Sequence, residues 1–354
     1  MAGFCQLLPR CGCVLALSGA VTTGSILGDQ GFAADGPVVS GTYSLSAFAK
    51  APAGLSKPDS IAIVGGNVWI AYGNTGKKDG ADGAVSQIVE YTIGGTILKT
   101  LKITGHNDGM KLNPASGKVW AMQNEDGNPT LIVIDPATDE LENYVLPPAG
   151  HGGGYDDVVF KNGEAFLTAS APDTDGGKIN PGPSVVRATI AAGAKVNVEP
   201  VFPGAPTITD MVSGKTETLN LTDPDSITLA PNGDLVMTSQ DDSELIYIQA
   251  ASAKAPKGKV LHLLNDVKVD DTTFVTASQG FLLVADTAAD IVWKVTAPQW
   301  SVGTAFSAMS GVDASKTAKE QAGYLGALNE KSGELKPIIA NMKAPHGLAF
   351  VATP

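Results

Sequence analysis

The fragment PDSI occurs twice, at residues 58–61 and 224–227, in similar surroundings: LSKPDSIAIVGGNVWIAYG and LTDPDSITLAPNGDLVMTS. Aligned on it, further copies emerge: HNDGMKLNPASGKVWAMQN from His106, GYDDVVFKNGEAFLTAS from Gly154, KVDDTTFVTASQGFLLVAD from Lys268 and APHGLAFV from Ala344. Each reads as a polar turn, an alternating strand, a turn containing Gly or Asn, and a second strand. The first strands start at Asp59, Asp108, Asp156, Asp225, Asp270 and His346, with spacings of 49, 48, 69, 45 and 76. Three of these match one four-stranded blade and two carry insertions. Pairs of outer strands follow, such as SQIVEYTI and ILKTLKI around Gly94 and Gly95, a hairpin signal. One small sheet cannot bury both faces, so such units pack face to face around an axis.

The predicted fold is therefore all-β, a six-bladed β-propeller, with TYSLSAF near residue 45 closing the last blade beside HGLAFV. Between Asp270 and His346 lie more strand-like runs than one blade needs (FLLVADT, IVWKVTA, GTAFSAM, GYLGALN, ELKPIIA), and too few follow His346. A seven-bladed ring or an irregular closing blade is the alternative. Residues 203–222 read as an inserted loop or hairpin on one face.

Composition agrees. The chain of 354 residues has 41 Gly and 22 Pro, and no long stretch beyond the N-terminal segment carries a 3.6-residue apolar period. A net charge of −12, spread without runs, excludes nucleic acid and anionic lipid as partners and suits cations or neutral ligands. Residues 1–34 read as a secretory signal. Arg10 is the only charged side chain before Asp29, CVLALSGAV follows it, and GFAADG offers cleavage after Ala33 or Ala34. That apolar run is too short to span a bilayer, so no membrane insertion is expected after cleavage. The expectation is a periplasmic or secreted monomer with one domain over residues 35–354. Cys5, Cys11 and Cys13 all fall in the signal. The mature chain would then lack disulfides, thiolate metal sites and cysteine nucleophiles.

In a propeller the innermost strands run beside the central channel, so Asp59, Asp108, Asp156, Asp225, Asp270 and His346 are predicted to meet at one mouth. The ends of the second strands would add Asn74, Asn124, Gln240, Asp241 and Asp286. Two like charges about 8 Å apart repel by roughly 2 kcal/mol at an effective dielectric near 20. Such a ring needs protonated members or a bound cation. Oxygen ligands with one imidazole favour Ca²⁺ over zinc. Each Asp also suits an Asx turn onto its own backbone. In the doublets Asp156-Asp157 and Asp270-Asp271 either member can face inward. His346 stands where the other units carry Asp and is the candidate general base or ligand. Carboxylates around it would hold its pKa above the ordinary value. His106 adjoins the same mouth, His151 lies in the loop GHGGGYDD, and both also suit surface positions; His262 lies in an outer strand and reads as structural. DGADG and NEDGN read as turns, since neither is followed by the Glu of a full calcium loop. Phosphate-binding loops, G-x-S-x-G and H-E-x-x-H are absent from the sequence.

PDSITLAPNGDLVMTSQDDSELIYI and APHGLAFV resemble NHL-type repeats and the gluconolactonase/regucalcin-like six-bladed propellers. The resemblance covers nearly all of the mature chain through a generic blade pattern. It implies a divalent cation, often calcium, held at the channel mouth by acidic and amide ligands, with Asp225, Asp59 and Asn124 as candidates by position in the blade. Some members hydrolyse lactones or phosphoesters; others are histidine-using lyases or binding scaffolds. Where lactonases often have Glu opening the first inner strand, this chain has Asp59.

The expected function is an exported, metal-dependent hydrolase of lactonase or esterase type acting on a small-molecule substrate. Asp59, Asp108, Asp156, Asp225 and Asn124 would hold or tune Ca²⁺, and His346 with Asp270 would move a proton. The alternative is a non-catalytic propeller that binds a protein or ligand on its loop face, with residues 203–222 as the contact.

Overall fold

The computed structural model describes residues 36–310 and 322–353, which form strands, turns and two short 3-10 segments. The signal expected over residues 1–34, its cleavage sites and the three cysteines lie outside the described residues.

The chain begins with β1 (Val38–Val39) and β2 (Ser44–Lys50), whose partners come from the far end of the sequence. The first blade follows as β3 (Pro58–Val64), β4 (Asn67–Tyr72), β5 (Val85–Tyr91) and β6 (Ile97–Thr104). The second is β7 (Asn107–Leu112), β8 (Val119–Gln123), β9 (Thr130–Ile134) and β10 (Leu141–Val145). The third is β11 (Val158–Lys161), β12 (Glu164–Thr168), β13 (Pro183–Ala191) and β14 (Lys195–Pro203). A single parallel pairing of Val145 with Lys195 joins these two blades. A hairpin, β15 (Thr207–Asp210) and β16 (Thr216–Thr218), precedes the fourth blade. That blade is β17 (Pro224–Leu229), β18 (Leu235–Ser239), β19 (Glu244–Gln249) and β20 (Lys257–His262), and β15 runs parallel to β20 at its outer edge.

Beyond β20 the chain stops building blades in order. β21 (Val269–Phe274) is an inner strand, but β22 (Gly280–Asp286) and β23 (Ile291–Thr296) do not pair with it. Its sheet is completed by β24 (Ala305–Met309), β25 (Gly323–Asn329), β26 (Glu334–Met342) and β1. β22 and β23 belong instead to the last sheet, between the C-terminal β27 (Pro345–Ala352) and β2. This exchange explains the surplus of strands before His346 and the deficit after it. It also corrects the reading of FLLVAD as the second strand of the Asp270 unit, and TYSLSAF does close the last blade, as its outermost strand.

The six inner strands β3, β7, β11, β17, β21 and β27 lie side by side in that order, with β27 beside β3. The core follows the same order as six apolar layers, one between each pair of blades. Strand alternation builds them. In β4, Trp69 enters the layer shared with the second blade, and its neighbour Ile70 the layer shared with the last. Both side chains are fully buried. Each layer is complete only when the next blade is present, which is why the sequence repeats.

Candidate functional site

The repeated phrase makes a bulge. Pairing of β3 with β4 slips between Pro58 and Ile61, and of β17 with β18 between Pro224 and Ile227. β7, β21 and β27 slip at the matching place. A bulge frees two residues from the pleat and re-aims their side chains. The first of the two faces the channel: Asp59, Asp108, Asp225, Asp270 and His346 all line one cavity of about 60 Å³, together with Asp156 from the turn before β11.

The second residue ties neighbouring blades together. Ser60 Oγ accepts the Met110 N–H at 2.8 Å, Asp157 Oδ2 accepts the Ile227 N–H at 3.2 Å, and Asp271 Oδ2 accepts the Leu348 N–H at 2.7 Å. Ser226 Oγ donates to the Asp270 carbonyl at 2.9 Å. In the other two units this residue is Gly. A Cβ on Gly109 would stand 2.4 Å from Asp157 Cα, and one on Gly347 2.1 Å from the Asp59 carbonyl oxygen. Both members of each doublet border the cavity, but Asp157 and Asp271 also brace the ring through these contacts to the neighbouring blade. Asp157 also pairs with Lys111 at 3.5 Å.

Crowding sets the protonation of the ring. Burial, reinforced by the Asp270 and Asp108 carboxylates, pushes Asp59 up to about 8 even with His346 nearby. Burial and Glu125 push Asp108 up to about 6. Asp156 and Asp225 are hydrogen-bonded to each other; burial, then repulsion from Asp225 and Glu125, holds Asp156 well above the carboxylate range, and burial, then repulsion from Asp270, does the same to Asp225, although its hydrogen bond to Asp156 acts the other way. Asp270 goes the other way. Burial would raise it, but His346 beside it holds it below its ordinary value. His346 Nδ1 is ion-paired with Asp270 and stands 4.0 Å from Asp59 Oδ2. Burial disfavours its charged form, yet these carboxylates push it up to about 10. The imidazole therefore carries its proton at neutral pH.

Asn124 does not line the cavity. β8 ends at Gln123, and Asn124 takes a left-handed φ of 65°, which turns the chain so that Glu125 faces the acids instead. The Asn124 amide is spent on backbone, accepting from His106 N–H at 2.9 Å and donating to the Asn128 carbonyl at 3.1 Å. Of the other second-strand ends, only Gln240 joins the cavity. Asn74 binds the Ser56 N–H, Asp241 pairs with Lys268, and Asp286 accepts the N–H groups of Lys343 and Ala344.

The remaining histidines divide. His106 is buried, with Nε2 3.3 Å from Asp108 Oδ1. His151 is buried too and lines no part of the cavity, so neither is a surface residue. His262 sits at the outer edge of the fourth blade, 2.8 Å from Glu217 and 3.3 Å from Glu244. Sequence reasoning missed Lys78 and Glu125, ion-paired at the cavity. The only signal for them was charge: Lys78 directly precedes DGADG and Glu125 lies in NEDGN, both of which read as turns.

The donor chemistry fits a small hard cation: carboxylate oxygens predominate, and the one ring imidazole is engaged by Asp270. Asp108 is the sharpest indication. Its side chain is 9% exposed, and its Oδ2 is buried without a hydrogen-bond partner. Among the described residues no three acids or imidazoles already stand around a common point as a formed metal cage.

No protein-family model and no curated protein matches this chain. Solved structures do. A putative gluconolactonase is similar at a TM-score of 0.50 and 11% identity, over 89% of this chain and 87% of that one. A periplasmic gluconolactonase of Pseudomonas aeruginosa gives 0.46 and 10%, over 84% and 89%. A protein of unknown function from Bacteroides caccae gives 0.49 and 10%, over 85% and 88%. At such identities the likeness concerns the fold, and the fold of this chain is the β-propeller that gluconolactonase-type proteins also have.

Proposed function

We propose that the protein is an exported, calcium-dependent hydrolase of lactonase or esterase type, acting at the acidic channel mouth. The observation that carries this reading is the convergence of the five ring aspartates, Asp156 buried and the other four partly buried, and of His346 on one small cavity, with Asp108 Oδ2 left unpartnered. Unpaired buried carboxylates are costly, and a ring of them is retained where a ligand repays that cost.

Asp59, Asp108, Asp156 and Asp225 would hold the cation, which when bound would polarise an ester carbonyl. His346 is oriented through Nδ1 by Asp270, which leaves Nε2 as the nitrogen able to serve a substrate. Because it starts protonated, its first task is to donate a proton to the departing alkoxide rather than to act as base. Export is supported by the N-terminal sequence pattern. Among the described residues no helix is long and apolar enough to cross a membrane.

The test is calorimetric titration with calcium, followed by a lactone and aryl-ester panel on the native protein and on Asp225→Ala. The expected result is calcium binding, and hydrolysis that falls at least about 100-fold in the variant. Hydrolysis that survives the substitution ends the hydrolase reading, and failure to bind calcium ends the cation reading.

A further inference from the structure

Lys78 brings a positive charge to the acid cavity from a loop, residues 73–84, that no strand of the repeat requires. The loop is pinned in place. The Lys78 carbonyl accepts the Asp126 N–H at 3.2 Å, and the Asp79 carbonyl accepts Asn128 Nδ2 at 2.9 Å. Gly80 lies so close to Asn124 that a Cβ there would stand 2.6 Å from its amide. The second blade thus holds the loop backbone over the mouth through Asp126 and Asn128, with Gly80 packed against Asn124.

From that fixed backbone the Lys78 ammonium pairs with Glu125, and its charge acts on Asp59, Asp108, Asp156 and Asp270 as well. The two partners differ in exposure. The Lys78 side chain is 57% exposed and that of Glu125 only 8%. A lysine stem of this kind can withdraw its ammonium into water at little cost, whereas Glu125 cannot leave.

We propose that Lys78 is a tethered counter-ion of the acid cavity, and that it sets the cavity's affinity for divalent cations by competing with them. The inference rests on the cation reading above. Entry of the cation and retention of the Lys78–Glu125 pair oppose each other electrostatically. The native protein therefore binds a divalent cation more weakly than its carboxylates alone would allow, and releases Glu125 when it does.

Lys78→Met removes the charge and keeps the stem; Lys78→Arg restores the charge. The side chain is largely exposed, so both variants are expected to fold. Calcium affinity is read by isothermal titration calorimetry at low salt, and stability of chelator-treated protein by thermal melting. Removing a unit charge beside a divalent site should tighten calcium binding at least about tenfold in Lys78→Met, lower the melting temperature of the cation-free form, and leave Lys78→Arg close to native. Equal calcium affinity in the native protein and Lys78→Met overturns the inference while the cation reading stands. Binding in Lys78→Met but not in the native protein upholds the inference and overturns the cation reading for the native chain. If neither binds calcium, both fail.

Discussion

Asp156 and Asp157 are neighbours in the chain with opposite energetic roles. Asp157 accepts the Ile227 N–H and pairs with Lys111, so it stabilises the contact between two blades. Asp156 is pressed against Asp225 and weakens the cation-free fold. Substitutions should separate them. Asp157→Ala is expected to cost about 2–3 kcal/mol by stranding a buried N–H and a lysine. Asp225→Asn should raise the melting temperature of the cation-free protein by a few degrees while abolishing any rise with calcium, a trade common at functional sites. Thermal melts with and without chelator check both.

The same residues set a pH dependence. A carboxyl raised on folding loses its proton from the unfolded chain first, at about 3.9, so stability falls as pH climbs from there to the folded pKa. Asp108, Asp271 and Asp59, pushed up to about 6, 7 and 8 chiefly by burial, place that decline between pH 4 and 8. His346, at about 10, contributes stability below its unfolded value that is lost as pH rises toward 10, which extends the decline. Cation-free protein should therefore melt several degrees lower at pH 8 than at pH 5, and calcium should flatten the curve. A cation-free melting temperature that rises over this range would contradict these charges. The ring aspartates themselves were legible from sequence because repetition marked their positions. Glu125 was not, because a single left-handed residue shifts which side chain faces inward, and alternation alone does not show that shift.

At the scale of the element, the unit of construction is the bulge with its two freed residues. Pro opens the inner strand where its missing N–H costs nothing, the next residue faces the channel, and the one after it reaches the neighbouring blade. Sequence reading found the strand and the Asp but assigned no task to the Ser, since its partner lies about 50 residues away in a different sheet. That task predicts a graded series. Ser60→Ala should cost about 1 kcal/mol, the worth of one buried hydrogen bond to the Met110 N–H. Gly347→Ala should cost more, about 2–4 kcal/mol, because the added methyl meets the backbone of the first blade at 2.1 Å and no flexible side chain can yield. Denaturant titration of both variants, with unchanged m-values, would establish the order.

Across the whole molecule, the last two blades differ from the rest because the chain threads them together. β22 and β23 are laid into the last sheet between the synthesis of β21 and β24, which share the fifth. The first strands are then locked in, β1 at the edge of the fifth sheet and β2 at the edge of the last, whose inner strand is the C-terminal β27. Reading from sequence reached the closure by both ends but not the exchange, since both arrangements use the same strands in the same order and differ only in pairing. The exchange has a physical cost: neither blade can open without disturbing the other. Trp300, on the returning connection, sits at this junction. Its ring lies 5.8 Å from Tyr43, 5.6 Å from Phe306 and 5.6 Å from Phe350, and its Nε1 donates to the Gly280 carbonyl at 2.9 Å. These partners span the fifth and last sheets. Native-state hydrogen exchange should accordingly find the amides of β21–β27 opening as one cooperative unit. Trp300→Ala should lower global stability by about 3–5 kcal/mol and reduce protection in both blades together. Loss of protection confined to one of the two sheets would mean that the threading does not couple them.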